Sequence, residues 1–272
     1  MEKKRENRAG RKRWLLIMDA VLLLALLFAL WQLVATLVSY RRAQEKYDAI
    51  AEQAVRTAEP QPTAAAPGAE ETPQPTEKPS EVPILVDFET LRQQNGDIVA
   101  WLYSADTPIN YPVVQTDNNQ YYLTHDFDRK KDAGGTLFFD SRNDVAAPDR
   151  NLILYGHRMK DDSMFGTLPD YAEASYWEEH PVMYLITEQQ SYRVEIFACR
   201  TVSADKMQYF ATGFESEAAY ASYLTKAIGQ SYWKAPFAAD ASYATLTLVT
   251  CSVYANADNP RVLVHGRLVP VD

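Results

Sequence analysis

Twenty-five residues near the N-terminus, Trp14 to Val38 ("WLLIMDAVLLLALLFALWQLVATLV"), are apolar apart from Asp19, Gln32 and Thr36. A helix rises about 1.5 Å per residue and a bilayer core is about 30 Å thick, so roughly 20 such residues span it. This stretch therefore predicts a transmembrane helix and takes no part in a water-soluble core. Asp19 lies near one end, within reach of the interface. The run is longer than the ~7–15 residues of a signal-peptide core and no A-x-A site follows it, which favours a retained anchor. Lys3, Lys4, Arg5, Arg8, Arg11, Lys12 and Arg13 precede the run and only Arg41 and Arg42 follow it closely. The positive-inside bias then sets residues 1–13 as a cytoplasmic tail, 14–38 as the anchor, and the rest outside the cell.

Beyond the anchor, residues 41–58 ("RRAQEKYDAIAEQAVRTA") are charged and alanine-rich, the pattern of a solvated helical stalk. Residues 57–83 hold seven of the fifteen prolines with almost no large apolar side chain. Such a segment buries too little surface to offset its ordering entropy, so it reads as a spacer between bilayer and domain. Stalk and linker are thus expected over 39–85 and one folded domain over 86–272. The net charge of −9 includes the basic tail, so the exported part is more acidic still, which argues against nucleic-acid partners.

Within the domain, Asp87 is placed to cap a short helix, "FETLRQQNG", with Asn95-Gly96 as a left-handed stop. Short runs rich in Val, Ile, Leu, Tyr and Phe follow, broken by Pro, Asn, Asp and Gly: "IVAWLYSADTPINYPVVQ", "GGTLFFDSRN", "NLILYGH", "PVMYLITEQQSYRVEIFACRTV", "YATLTLVTC" and "RVLVHGRLV". Repeated strands of this kind predict a mostly β domain, barrel or sandwich. One helix interrupts them, with Phe214, Ala218, Ala221, Leu224 and Ile228 at helical spacing and Gly229 as its stop.

The chain has two cysteines, Cys199 and Cys251, which in an oxidising exterior are free to pair. Cys251 ends the strand "ATLTLVTC", and Arg261 opens "RVLVHGRLV" after a nine-residue connection, so an antiparallel pairing makes them neighbours. A guanidinium there favours a thiolate or holds a developing oxyanion. An ordinary thiol has a pKa of about 8.5 and needs a base. His157 stands at a strand end before a polar loop, where site residues concentrate. His125, His180 and His265 read as structural or surface groups, and Cys199 as strand packing.

"YGHRMKDDSMFGTL", "TLVTC" and the arginine ten residues after the cysteine closely resemble the class B sortases, cysteine transpeptidases of Gram-positive cell surfaces. The likeness extends through "NGDIVAWLYSADTPINYPVVQTDNNQYYL" and "GGTLFFD", from about Phe88 to the C-terminus. It implies a closed β-barrel of about eight strands with a short N-terminal helix and a helix inserted between late strands. It implies Cys251 as nucleophile, His157 as acid/base and Arg261 as oxyanion and substrate-carbonyl ligand, with Asn119, Leu123, Tyr155 and Tyr209 lining a peptide groove. The implied partners are secreted proteins with a C-terminal sorting signal, N-P-x-T-N-like or [S/P]-P-x-T-G-like, and an amine of peptidoglycan or its precursor. The implied chemistry requires neither metal nor organic cofactor. One departure is Val249, where many class B members have a serine whose hydroxyl supports the thiol. Two alternatives stand beside this reading. One is another cell-wall cysteine enzyme, an L,D-transpeptidase or papain-like peptidase, although Cys251 has no glycine before it and opens no helix. The other is a non-catalytic anchored binding domain with a Cys199–Cys251 disulfide.

Overall fold

A computed structural model describes residues 2–58, 82–146, 149–205, 210–237, 240–251 and 259–271, with backbone alone at 2–13, 15–17, 20 and 251. Helix α1 runs over Glu2–Ala54. The described large apolar side chains from Trp14 to Val38 are all exposed, Leu26 and Trp31 by more than 60%. A surface of this kind is tolerated in lipid and not in water. The helix is long and apolar enough to cross a membrane.

The chain divides into two units, Met1–Lys46 and Tyr47–Asp272. The expected stalk is therefore shorter than 39–85, because the end of α1 belongs to the folded domain. Tyr47, Ile50 and Ala54 recur at helical spacing and are 1%, 4% and 2% exposed within the main core. The Tyr47 hydroxyl donates to the Gly135 carbonyl at 2.6 Å. Burying a side chain such as Ile50 stabilises by about 1.5–3 kcal/mol, so the stripe has reason to leave solvent. Strand β1 (Val55–Thr57) pairs antiparallel with β2 (Ile84–Val86), Thr57 opposite Ile84. The residues on either side of the proline-rich stretch thus stand next to each other, with Ala58 N donating to the Pro83 carbonyl at 3.0 Å. Residues 59–81 of that stretch lie outside the described residues.

Helix α2 (Phe88–Gln94) begins as expected, with Asp87 Oδ1 accepting from Thr90 N at 3.0 Å. Its end differs. Asn95 is extended, with φ −146°, and its buried side chain donates to the Tyr122 hydroxyl and the Phe127 carbonyl, both at 2.8 Å. A side chain that ties down a distant loop replaces the left-handed stop.

Eight strands then close a barrel: β3 (Ile98–Tyr103), β4 (Asn110–Val114), β5 (Leu137–Phe139), β6 (Asn151–Tyr155), β7 (Val182–Ile186), β8 (Ser191–Ser203), β9 (Thr245–Cys251) and β10 (Pro260–Val271). Around the barrel they run β10-β8-β7-β3-β4-β5-β6-β9. The expected closed barrel of about eight strands is what forms. Two pairs are parallel, β4 with β5 and β6 with β9. Inward side chains such as Trp101, Leu137, Leu152, Leu154, Leu246, Leu248 and Val264 are fully buried. Closure leaves no unpaired edge in the barrel, which explains how strands of three to five residues persist.

Helix α3 (Ala174–Glu179) precedes β7, and α4 (Glu217–Gly229) lies between β8 and β9. Ser216 caps α4 by accepting from Ala219 N at 3.1 Å. The buried stripe of α4 is Tyr220, Tyr223, Leu224 and Ala227, shifted from the expected 214/218/221/224/228 face. The reason is polar: the two tyrosines reach a buried network on the outer face of β9. Thr247 Oγ1 donates to Asn151 Oδ1 at 2.7 Å and lies 3.0 Å from His265 Nδ1. Arg200 Nε donates to His265 Nε2 at 3.1 Å, so that nitrogen accepts and Nδ1 carries the proton. Burial, then the charge of Arg200, lowers the His265 pKa well below the ordinary histidine value. This network joins β6, β8, β9 and β10 beneath α4.

Candidate active site

Strand register brings the chemistry-bearing positions to one rim of the barrel. In the parallel pair, Tyr155 of β6 stands opposite Val249 of β9. Two residues further on are His157, just past the end of β6, and Cys251, the last residue of β9. On the other side of β9, Cys251 stands opposite Arg261 of β10. The hairpin expected from the sequence forms, and the β6–β9 contact adds the histidine. The Cys251 side chain lies outside the described residues.

A cavity of about 410 Å³ opens at this rim, lined by Asn119, Leu123, Phe138, Tyr155, Gly156, His157, Val249, Thr250 and Arg261. His157 Nε2 lies 2.6 Å from the Leu123 carbonyl oxygen. A carbonyl only accepts, so Nε2 carries a proton in this geometry. The histidine loop leaves β6 through Gly156, where a Cβ would stand 2.4 Å from Leu137 Cδ2 and 2.5 Å from Phe165 Cδ2. Only glycine lets the chain pass so close to the core. The loop is closed by Phe165 N donating to the His157 carbonyl at 3.0 Å.

Arg261 is half-buried, and its Nη1 donates to Asn259 Oδ1 at 2.7 Å and to the Pro260 carbonyl at 3.2 Å. One nitrogen of the fork is thereby anchored to its own turn. Tyr155 donates its hydroxyl to Asp140 Oδ2 at 3.0 Å. Burial, then the charge of Asp140, raises its pKa and keeps the phenol protonated. Asn119 Oδ1 accepts from Ser141 N at 2.7 Å. Of the groove residues expected from the sequence, Asn119, Leu123 and Tyr155 line the cavity, whereas Tyr209 lies outside the described residues.

The chain and its barrel match known proteins. A family model described as "Sortase domain" matches residues 104–269. Sortase B of Listeria monocytogenes is 34% identical over 183 residues, covering 67% of this chain and 74% of the relative. The chain belongs to the sortase family, class B. Among solved structures, a Staphylococcus aureus sortase B–substrate complex superposes with a TM-score of 0.64 at 30% identity, covering 68% of this chain and 85% of that one. Sortase B of Bacillus anthracis gives 0.62 at 38% identity, covering 67% and 84%. This sortase is accordingly a cysteine transpeptidase of the cell-wall type, and its family acts on proteins bearing sorting signals.

The disulfide alternative fails on register. Cys199 is free, fully buried and opposite Val264, three positions along β10 from Arg261 and on the far side of that strand from Cys251. At about 3.3 Å per residue and about 4.8 Å per strand, the two Cα atoms are roughly 14 Å apart, far beyond the ~7 Å limit for a bridge. Cys199 fills the barrel core, and burial raises its pKa.

Val249 is 2% exposed, packed with Ile153, Val202, Phe210 and Leu263. Its surroundings are thus mostly apolar, with Tyr155 also packed against the cluster. Val249→Ser is expected to lower stability by about 1–3 kcal/mol, since it removes packed methyl groups and buries a hydroxyl. Thermal unfolding reads this; an unchanged midpoint means that the hydroxyl finds a partner in the cavity.

Sequence reasoning missed Phe138, Gly156 and Thr250 as cavity lining, and it missed Asp140 and Arg142 behind the cavity. "LFFDSR" carries the signal: an aspartate directly after an apolar strand, with an arginine two residues on.

Proposed function

We propose that this sortase is held in the cell membrane by residues 14–38, with its basic N-terminus in the cytoplasm and its barrel outside. There it cleaves a C-terminal sorting signal after threonine. Cys251, as thiolate, attacks the threonine carbonyl; a C–S bond forms, and the developing oxyanion lies against Arg261. Protonated His157 gives its proton to the leaving amine as the C–N bond breaks, leaving a thioacyl enzyme. An amine of peptidoglycan or its precursor then attacks the thioester, gives its proton to His157, and releases the thiolate. The acyl group ends in a new amide bond, and the enzyme is regenerated without metal or organic cofactor.

The observation that carries this reading is the convergence of three strand ends, β6, β9 and β10, on one cavity. Its volume suits a short peptide segment, within the ~300–1,000 Å³ of ordinary ligand sites. Asn119, Leu123, Tyr155 and Tyr209 are assigned to the groove that holds the signal. The anchor supports the same reading, because sorting substrates in the same membrane gain effective concentration by confinement.

The test is cleavage by the full chain of N-P-x-T-N-like and [S/P]-P-x-T-G-like peptides, with and without an amine acceptor. The expected result is cleavage after threonine, with an acceptor-dependent amide product. Cleavage at another bond, or none across both peptide classes, overturns the proposed specificity.

A further inference from the structure

We propose that Asp140 is a positioning residue that sets the polarity of the substrate groove, a role that rests on the reading of the cavity as a peptide site. Its side chain is fully buried directly after β5. Arg142 grips it with two bonds, Nε to Oδ1 and Nη2 to Oδ2, both 2.8 Å. The Arg142 backbone N–H adds a third at 3.0 Å. Burial pushes the Asp140 carboxyl up, but the hydrogen bonds from Arg142 outweigh it, and the pKa is held below the usual carboxylate value. The group is therefore charged at neutral pH and only accepts hydrogen bonds.

Two residues that line the cavity hang on this one charge. Tyr155 donates its hydroxyl proton to Oδ2, and Arg142 hydrogen-bonds the same phenol, so the ring that lines the cavity is held from behind by the pair. The Asn119 side chain hydrogen-bonds the same carboxylate, while its Oδ1 is occupied by Ser141 N at 2.7 Å. Asn119 is thus left to offer an N–H. Arg142 Nη2 also donates to the Phe210 carbonyl at 3.0 Å, which fixes the guanidinium that grips Asp140. Two polar side chains held in fixed orientation at the cavity lining suit the N–H and C=O groups of an extended peptide main chain. The occupant this polarity selects is the backbone of the sorting signal rather than one of its charged side chains.

Asp140→Asn keeps the shape and removes the charge. In the full chain in detergent, it is expected to raise KM for the cleaved peptide about tenfold, the scale of one charge-assisted hydrogen bond. The kcat and the rate of Cys251 alkylation by iodoacetamide should stay within about twofold, the signature of lost uniform binding. Arg142→Gln, at a side chain that is half exposed, should shift KM the same way less strongly, and Arg142→Lys should restore part of it. This second site decides the matter if Asp140→Asn does not fold. An unchanged KM in the folded variants overturns the proposal, as does a fall in kcat that tracks a slowed alkylation. A substrate-free readout separates this claim from the proposed specificity. With tyrosines labelled at Cζ and Tyr155 assigned through Tyr155→Phe, the Tyr155 resonance should move in Asp140→Asn and Arg142→Gln even if no peptide in the panel is cleaved. An unmoved resonance overturns the positioning role.

Discussion

Cys251→Ala is expected to abolish transpeptidation, with a loss on the order of 10⁵–10⁶ in kcat, as for other enzymes stripped of their nucleophile. The barrel should persist, because Cys251 ends β9 at the rim, beyond the buried positions Leu246, Leu248 and Val249. A change in unfolding free energy within about 0.5 kcal/mol is expected, as for substitutions outside the core. Cys199 offers no substitute sulfur, since it is fully buried and its pKa is raised by that burial. Thiol labelling of the folded protein should therefore modify one site in the unaltered chain and none in the variant. Acyl transfer surviving in Cys251→Ala would remove the thioacyl mechanism altogether.

Arg261→Lys keeps the positive charge and still should lower kcat by about 10²–10³, the usual cost of losing an oxyanion donor. The reason is the anchored fork. Nη1 is held by Asn259 Oδ1 and the Pro260 carbonyl, which fixes the plane of the guanidinium beside β9. A lysine ammonium is a single point on a flexible stem; it either bonds the turn or reaches the substrate oxygen. Measurement of kcat separately from KM, with Cys251 alkylation as a control on the thiol, reads the effect. A kcat within threefold of the unaltered enzyme would mean that charge alone suffices and that the fork geometry is irrelevant.

The groove shows how a site can be read in outline while its support stays hidden. His157, Cys251 and Arg261 stand out because each carries distinctive chemistry at a strand end, and a nine-residue hairpin makes the last two neighbours by local topology alone. Asp140 and Arg142 carry equally distinctive charges, but nothing near them in the sequence says what they hold. Their meaning comes from Tyr155, Asn119 and Phe210, which lie 15, 21 and 70 positions from Asp140 in sequence. The same holds for α4, whose length and cap are legible in "SEAAYASYLTKAIG" but whose buried face follows from what Tyr220 and Tyr223 meet across the sheet.

By itself the sequence determined the apolar span, the succession of short strands, the start of α2, the extent of α4 and the cysteine–arginine pairing. Each is a local pattern of hydrophobicity, capping or turn length that neighbouring residues largely decide. Only the tertiary structure set β6 parallel beside β9, because the strand that closes a barrel next to another is chosen by the packing of the whole core. That contact is what carries His157 to the cysteine. The tertiary structure also drew Tyr47, Ile50 and Ala54 out of the presumed stalk, since a helix stripe that looks solvated in isolation leaves water once an apolar surface is there to receive it.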